Sequence, residues 1–341
     1  QSERLARASV AGIPDGVYEA ESFMDDDGVA IGKPIPIKVR VVVEGERMTI
    51  DLSDVSRQVG GYYNSGATAG RSAAQVAFKC ITSPLWLPIN DGSFSPLEIV
   101  LPPGRVISAV KPAATRWWMT IPMTVVDTIF KALAPAIPER IAAGHHADLC
   151  VASMYGVDHR TGRFFFGMAG LPGGGWGAKH DADGMNATVC INDGDTHNSP
   201  VEASEAKSPI VVERLELRQD SGGAGRQRGG LGVAQTVRVL TNANLNVQIE
   251  RTKCAPWGLN GGLDGAPNRI TVRRVSGEEL TFPNGKLDSL ALGPGDSYTV
   301  WAGGGGGFGP PSERDPELVE RDVRLGYVSA EAASRDYGGW S

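Results

Sequence analysis

Between residues 34 and 43 apolar side chains occupy every second position: Ile35, Ile37, Val39 and Val41. A period of two places them on one face of a strand. Glu44, Gly45 and Glu46 break the pattern, and Met48, Ile50 and Leu52 resume it, which predicts a β-hairpin. Elsewhere in the first part the spacing is helical. Ala74, Phe78 and Ile81 share a face within residues 71–81, and Val125, Ile129 and Leu133 within 124–133. Residues 1–11 read as the tail of a helix stopped by Pro14, Asp15 and Gly16, so the chain is expected to begin in mid-structure. A proline-rich stretch, 83–103, holds one short strand at 97–101.

After Cys150 the texture changes. Strand-like runs at 151–155, 163–168, 187–191, 210–217, 234–240, 246–250, 269–275 and 297–301 are separated by glycine and by turns such as Pro283-Asn284-Gly285 and Pro294-Gly295-Asp296. Residues 315–337 are helical in pattern, with Pro316 suited to a first turn and Ser329 to a cap ahead of Glu331. The expected fold class is α+β: a mixed part over residues 1–145, then a glycine-punctuated, β-rich part over 146–341 that ends in helices.

Glycine composition sharpens this. The chain has 45 glycines in 341 residues, nearly twice the usual share of roughly 7%. They gather at 173–177, 222–230 and 303–309. Such runs either converge backbone N–H groups on an anion or pack backbone tightly beside a sheet. Gly304, Gly306 and Gly309 fit G-x-G-x-x-G, but Pro310-Pro311 follows where a dinucleotide fold needs an immediate helix. No phosphate-binding G-x-x-x-x-G-K-[ST] and no G-x-S-x-G elbow occurs. The net charge of −6 and the absence of a basic block argue against nucleic acid. No apolar run approaches about 18 residues, which argues against a membrane helix. Cys80, Cys150, Cys190 and Cys254 lie far apart, reading as buried thiols of a cytoplasmic protein.

Several side-chain groups are candidates for chemistry. His145, His146 and Asp148 could donate to a metal, although adjacent residues on a strand face opposite ways. His180, beside Asp181 and Asp183 and next to the first glycine cluster, suits acid/base or orienting work. The polar segment 192–205 holds Asp193, Asp195, His197, Asn198, Glu202 and Glu205; it is either a functional loop or a turn held by side-chain to backbone bonds. Trp117 and Trp118 could line an apolar pocket, and core packing is the simpler reading.

Particular strings then carry a resemblance. Asn198-Ser199-Pro200-Val201-Glu202, the run from Leu215 through Asp220-Ser221-Gly222-Gly223-Ala224-Gly225 to Arg228-Gly229-Gly230-Leu231-Gly232, the segment Arg251 to Gly262, and the ending from the 303–309 run through Asp315-Pro316 to Tyr337-Gly338 closely resemble the hydantoinase B/oxoprolinase family. Pro14-Asp15-Gly16 and Pro88-Ile89-Asn90-Asp91-Gly92 fit it too. The resemblance implies one subunit of a complex that hydrolyses hydantoins, 5-oxoproline or lactams, or that carboxylates ketones. It implies a hydantoinase A-type partner that binds ATP with Mg and activates a carbonyl. It also implies a divalent metal, Zn or Mn, held in an N-terminal half with a Gly-Gly-Thr-His-type string. That string is absent here, so the chain is expected to be the C-terminal portion of a B-type subunit, partnered by the N-terminal half, with no metal of its own. A non-catalytic assembly role is the reading from a different class. Candidate catalytic residues are His180 and Asp183. Candidate substrate-binding residues are Gly174 and Gly175, as backbone donors to an intermediate, with Asn198, Glu202 and Arg251. The family often has Gly-Ala-Arg-Pro where Gly177-Ala178-Lys179-His180 stands, a local departure.

Overall fold

A computed structural model describes residues 1–82, 88–116, 118–191 and 196–338. The chain forms two compact units, residues 1–142 and 143–341.

In the first unit, helix α1 (Ser2–Ala11) leads into strands β1 (Gly16–Met24), β2 (Ile35–Glu44) and β3 (Arg47–Asp51), helix α2 (Ala67–Thr82), strand β4 (Leu97–Val100) and helix α3 (Thr120–Leu133). The strands lie in the order β1-β2-β3-β4, with β4 parallel to β3 and the other pairs antiparallel. The expected hairpin is β2-β3, with Val43 opposite Met48 and Val41 opposite Ile50. Its alternation has a plain cause: Ile35, Ile37, Val39, Val41 and Val43 are all buried, under helix α3, which packs on β1 and β2. Strand β1 has no such signature, because its sequence GVYEAESFM buries only its last few residues.

In the second unit, β5 (Val151–Asp158) and β6 (Arg163–Met168) precede α4 (Val201–Lys207), β7 (Ile210–Leu217), β8 (Val233–Val239), β9 (Ala243–Ile249), β10 (Arg269–Arg273), β11 (Glu279–Thr281), β12 (Gly285–Leu292), β13 (Ser297–Trp301), α5 (Pro316–Arg324) and α6 (Ala330–Tyr337). One sheet runs β11-β10-β13-β8-β7 and the other β12-β9-β5-β6. They share one apolar core, in which Met154, Leu245, Val247 and Ile249 from one sheet join Val237, Val272, Tyr298 and Val300 from the other. Burying each such side chain contributes about 1.5–3 kcal/mol.

The glycine runs form a third layer of this unit. Residues 303–307 lie among the segments 173–178, 221–230 and 257–266, bonded to all of them by backbone N–H to carbonyl bonds. Gly175 donates to Gly303, Gly223 to Gly305, Gly305 to Gly230, Ala178 to Gly306 and Gly307 to Leu263, at 2.8–2.9 Å. The spacing admits no side chain. A Cβ on Gly175, Gly177, Gly229, Gly230, Gly304, Gly305 or Gly306 would sit 1.7–1.9 Å from a neighbouring carbonyl oxygen. As at a collagen axis, only glycine fits between backbones this close. Backbone packing therefore explains the glycine excess, and the expected strand at 187–191 belongs to this layer instead: Ala187 has φ 53 and only Thr188 bridges, to Gly174.

Helices α5 and α6 rest on the glycine layer. Asp315 caps α5 through Glu317 N–H and Ser329 caps α6 through Ala332 N–H. Val319, Val328, Ala332, Ala333 and Tyr337 pack with Ala224 as a small satellite core. Strand β12 had no sequence signal, because a bulge between Leu287 and Leu290, with Ser289 at φ 54, interrupts its alternation. Trp118 is 47% exposed, so it is not a core residue, and Trp117 lies outside the described residues. Cys150 and Cys190 are buried, but Cys80 is exposed.

Candidate functional site

The densest chemistry in the second unit lies where β5 begins and β9 ends. Three non-glycine residues adopt positive φ there: Ala147 (47°), Cys150 (50°) and Arg251 (54°). Such backbone costs of order 1–3 kcal/mol at each residue. Here it lets main-chain groups converge on Asp148, whose Oδ2 accepts Cys150 N–H at 3.0 Å and Glu250 N–H at 3.2 Å. The buried Arg251 guanidinium donates to the His145 carbonyl at 2.8 Å. Asn268 ties the cluster to the glycine layer: its Nδ2 donates to the Glu250 carbonyl at 2.7 Å, and its Oδ1 accepts Gly303 N–H at 2.5 Å. Glu250 and Lys286 form an ion pair at 2.5 Å with both side chains at most 2% exposed.

Burial sets the protonation states. It pushes the Asp148 carboxyl up to about 7 despite the N–H groups of Cys150 and Glu250. It pushes His146 down to about 3, so that ring is neutral at pH 7, its Nε2 against the Val189 carbonyl. The ring of His146 lies over Gly174, where a Cβ would come within 2.0 Å of its Cγ. The cluster combines a carboxyl poised near neutrality with a fixed neutral imidazole, both inside the unit. Among the described residues no three His, Cys, Asp or Glu side chains gather as a metal-donor set.

The structure separates the candidates read from sequence. The N–H of Gly174 donates to Thr188 and that of Gly175 to Gly303, both at 2.8 Å. They are not backbone donors to an intermediate, which corrects that expectation. The N–H groups of Gly304, Gly306 and Gly309 are likewise bonded, to Ala266, Gly144 and Leu259, so the G-x-G-x-x-G string does not fit a nucleotide phosphate. Arg251 is 1% exposed and sits in the buried cluster, not on the surface. Asn198 is exposed, and its amide makes a two-way bond with the backbone of Leu171, at 2.9 and 3.0 Å. Glu202 is exposed in the first turn of α4. Asp193 and Asp195 lie outside the described residues.

His180 and Asp183 do not form one unit. The exposed His180 ring has Asp181 at 3.6 Å, while Arg226 donates to the His180 carbonyl. Asp183 instead meets Arg314 in a two-pronged ion pair at 2.7 and 2.8 Å and accepts Arg228 N–H at 2.8 Å. Burial raises this carboxyl, but the Arg314 bonds and the Arg314 and Arg228 charges outweigh it, holding Asp183 below the usual range. Arg314 and Arg228 also bind Asp322, at 2.7 and 3.1 Å. Arg321 adds longer contacts to both aspartates, at 3.7 and 3.8 Å, so three arginines surround two aspartates and clamp α5 to the glycine layer. Asp183 is part of a structural clasp. The sequence reading missed Glu250, Asn268, Lys286, Arg228, Arg314 and Asp322. The one available signal was Glu250 closing the alternation Asn244, Asn246, Gln248 on a strand whose other face is Leu245, Val247 and Ile249.

The hydantoinase B/oxoprolinase family profile matches residues 1–311. The chain belongs to the hydantoinase B/oxoprolinase family. It is 30% identical over 99% of its length to the putative D-/L-hydantoinase B-type subunit of Pseudomonas sp. (strain NS671), of which it covers 58%. Its fold matches the crystal structure of the ATP-dependent caprolactamase from Pseudomonas jessenii with a TM-score of 0.88 at 26% identity, over 99% of this chain and 59% of that one. An acetone carboxylase, in its nucleotide-free structure, matches with a TM-score of 0.85 at 19% identity, over 99% of this chain and 51% of that one. The chain thus spans little more than half the length of these relatives. No helix among the described residues is long and apolar enough to cross a membrane.

Proposed function

We propose that this chain is part of the B-type subunit of an ATP-dependent enzyme that opens a cyclic amide: a hydantoin, 5-oxoproline or a lactam. The observation that carries this reading is the fold match at 26% identity to a caprolactamase over 99% of the chain. The 30% identity to a hydantoinase subunit points the same way. Ketone carboxylation is the second reading, favoured by the acetone carboxylase match, which at 19% identity speaks for the fold alone.

In this proposal ATP and Mg bind on a hydantoinase A-type partner. A Zn or Mn ion is held by residues outside this chain, in the part equivalent to the rest of the relatives' length. This chain's own residues act as a rigid frame. The glycine layer admits no side-chain motion, the Asp148 cluster locks the ends of β5 and β9 to it, and the Arg314 clasp fixes the terminal helices. The exposed side chains of His180, Asn198 and Glu202 are open to a partner or substrate.

The test is a substrate panel on the assembled enzyme. ε-Caprolactam, hydantoin and 5-oxoproline are offered with ATP, and acetone with ATP and bicarbonate. Ring opening of at least one amide with no acetone carboxylation is expected. Carboxylation without ring opening contradicts the proposal.

A further inference from the structure

Strand β6 ends the sheet β12-β9-β5-β6, and among the described residues no strand pairs with its outer edge. Its side chains alternate in an unusual sense. Phe165 is buried in the core, whereas Phe164, Phe166 and Met168 are 69%, 63% and 41% exposed. The register with β5 sets Phe164 opposite Val157, itself 56% exposed, so the four share one outward face. The hairpin that presents them is fixed. Asp158 accepts the N–H and guanidinium of Arg160, and its carbonyl accepts Gly162 N–H at 2.8 Å. These rings are therefore displayed by an ordered strand. Natural sheets protect open edges with charge, proline or a cover; here helix α4 lies against β6, with the Glu205 carbonyl accepting from Arg160 and Asn198 bonded to the Leu171 backbone, while the outward face keeps two exposed phenylalanines.

We infer that this outward face of β6 receives an apolar segment of the polypeptide that makes up the rest of the relatives' length. The inference rests on the proposed B-type reading. Two facts on the relatives select that occupant. The chain covers only 58% and 59% of the hydantoinase subunit and the caprolactamase chain. In both cases nearly all of this chain is matched, so the additional polypeptide of these relatives has no counterpart here and is available to cover the face. The exposed apolar area of the four side chains is on the order of 400 Å², half of what one side of a stable interface buries.

The experiment is hydrogen exchange of the isolated chain against the chain co-expressed with the polypeptide equivalent to the relatives' remaining length. Amides of residues 163–168 are expected to exchange about tenfold or more slowly in the pair. Phe164→Asp with Phe166→Asp is expected to weaken the pairing about thirtyfold or more and to leave the melting temperature of the isolated chain unchanged. Equal exchange in both samples overturns the inference. So does protection that rises with concentration of the isolated chain, since a second copy then covers β6, or protection that needs the ATP-binding partner. If the assembly opens lactams while β6 stays unprotected, the inference fails and the functional reading stands. Protection of β6 without any ATP-dependent ring opening leaves the inference standing and removes the reading.

Discussion

Gly305→Ala tests whether backbone contact is what the glycines provide. A Cβ there would lie 1.9 Å from the Trp176 carbonyl oxygen, 2.2 Å from its carbon and 2.6 Å from Gly177 N. A relaxed carbon–oxygen contact is about 3.3 Å or more, so the two segments must part by more than about 1 Å. They cannot part freely. Gly305 donates to Gly230 at 2.9 Å and accepts from Gly223 at 2.8 Å, and both bonds stretch if it moves away from Trp176. Overpacking costs about 1–3 kcal/mol, and each buried backbone group left without a partner about 1–3 more. The expected loss is therefore about 4 kcal/mol, against a total of about 5–15 for a typical domain. For a unit of this size that lowers the melting temperature by roughly 8–16 °C. Guanidinium titration followed by calorimetry measures it. Gly293→Ala is the control, since its Cβ would meet only Asp296 Oδ2 at 3.8 Å, and it should shift stability by less than about 0.5 kcal/mol. If Gly305→Ala unfolds alongside the control, the glycine layer does not depend on close approach and the explanation fails.

Arg314→Met removes the buried cation bonded to both Asp183 and Asp322 and leaves them as cations only Arg228 on Asp322 and the longer, half-exposed Arg321 contacts; a loss of about 3 kcal/mol is expected, with proteolysis appearing first in α5 and α6, and unchanged denaturation would refute the clasp. His146 resists protonation until about pH 3 when folded but protonates near 6.5 when unfolded, so its contribution is complete above 6.5 and is lost as pH falls towards 3. The stability gap between the native protein and His146→Gln should accordingly narrow by on the order of 2 kcal/mol from pH 7 to 4.5; Asp148, raised to about 7, acts in the opposite sense but is present in both proteins, and a gap that stays constant contradicts the burial argument. His180→Ala in the assembled enzyme should lower kcat/KM by less than about tenfold, or 1.4 kcal/mol, because its ring is exposed and faces Asp181; a hundredfold loss would place it in the chemistry after all.

Elements with a buried face were legible in sequence. The β2-β3 hairpin, α2 and most strands of the second unit announce themselves because burial selects their apolar positions, and α3, buried on nearly every side, because it is apolar almost throughout. Strand β1 was not legible because its inward positions hold Gly16, Tyr18, Ala20 and Ser22 rather than aliphatic side chains, and β12 because its bulge breaks the period of two. The glycine clusters were visible, but their direction of bonding was not. Whether an N–H faces a ligand or a neighbouring carbonyl depends on segments as far apart as Gly175 and Gly303, which no local pattern joins. Asp183 misled for a related reason. Proximity in sequence placed it with His180, whereas its partners Arg228 and Arg314 come from 45 and 131 residues away. Asp148 was read as a possible metal donor from its histidine neighbours, and its true partners are backbone groups gathered by positive-φ residues, a geometry composition cannot signal.

The most direct measurement is ATP-dependent opening of ε-caprolactam by three samples at equal concentration: this chain alone, the chain with the polypeptide equivalent to the rest of its relatives' length, and that pair with a hydantoinase A-type partner. Ring opening, coupled to ATP hydrolysis, is expected in the third sample only. Turnover by the chain alone, or ring opening without ATP, would contradict it.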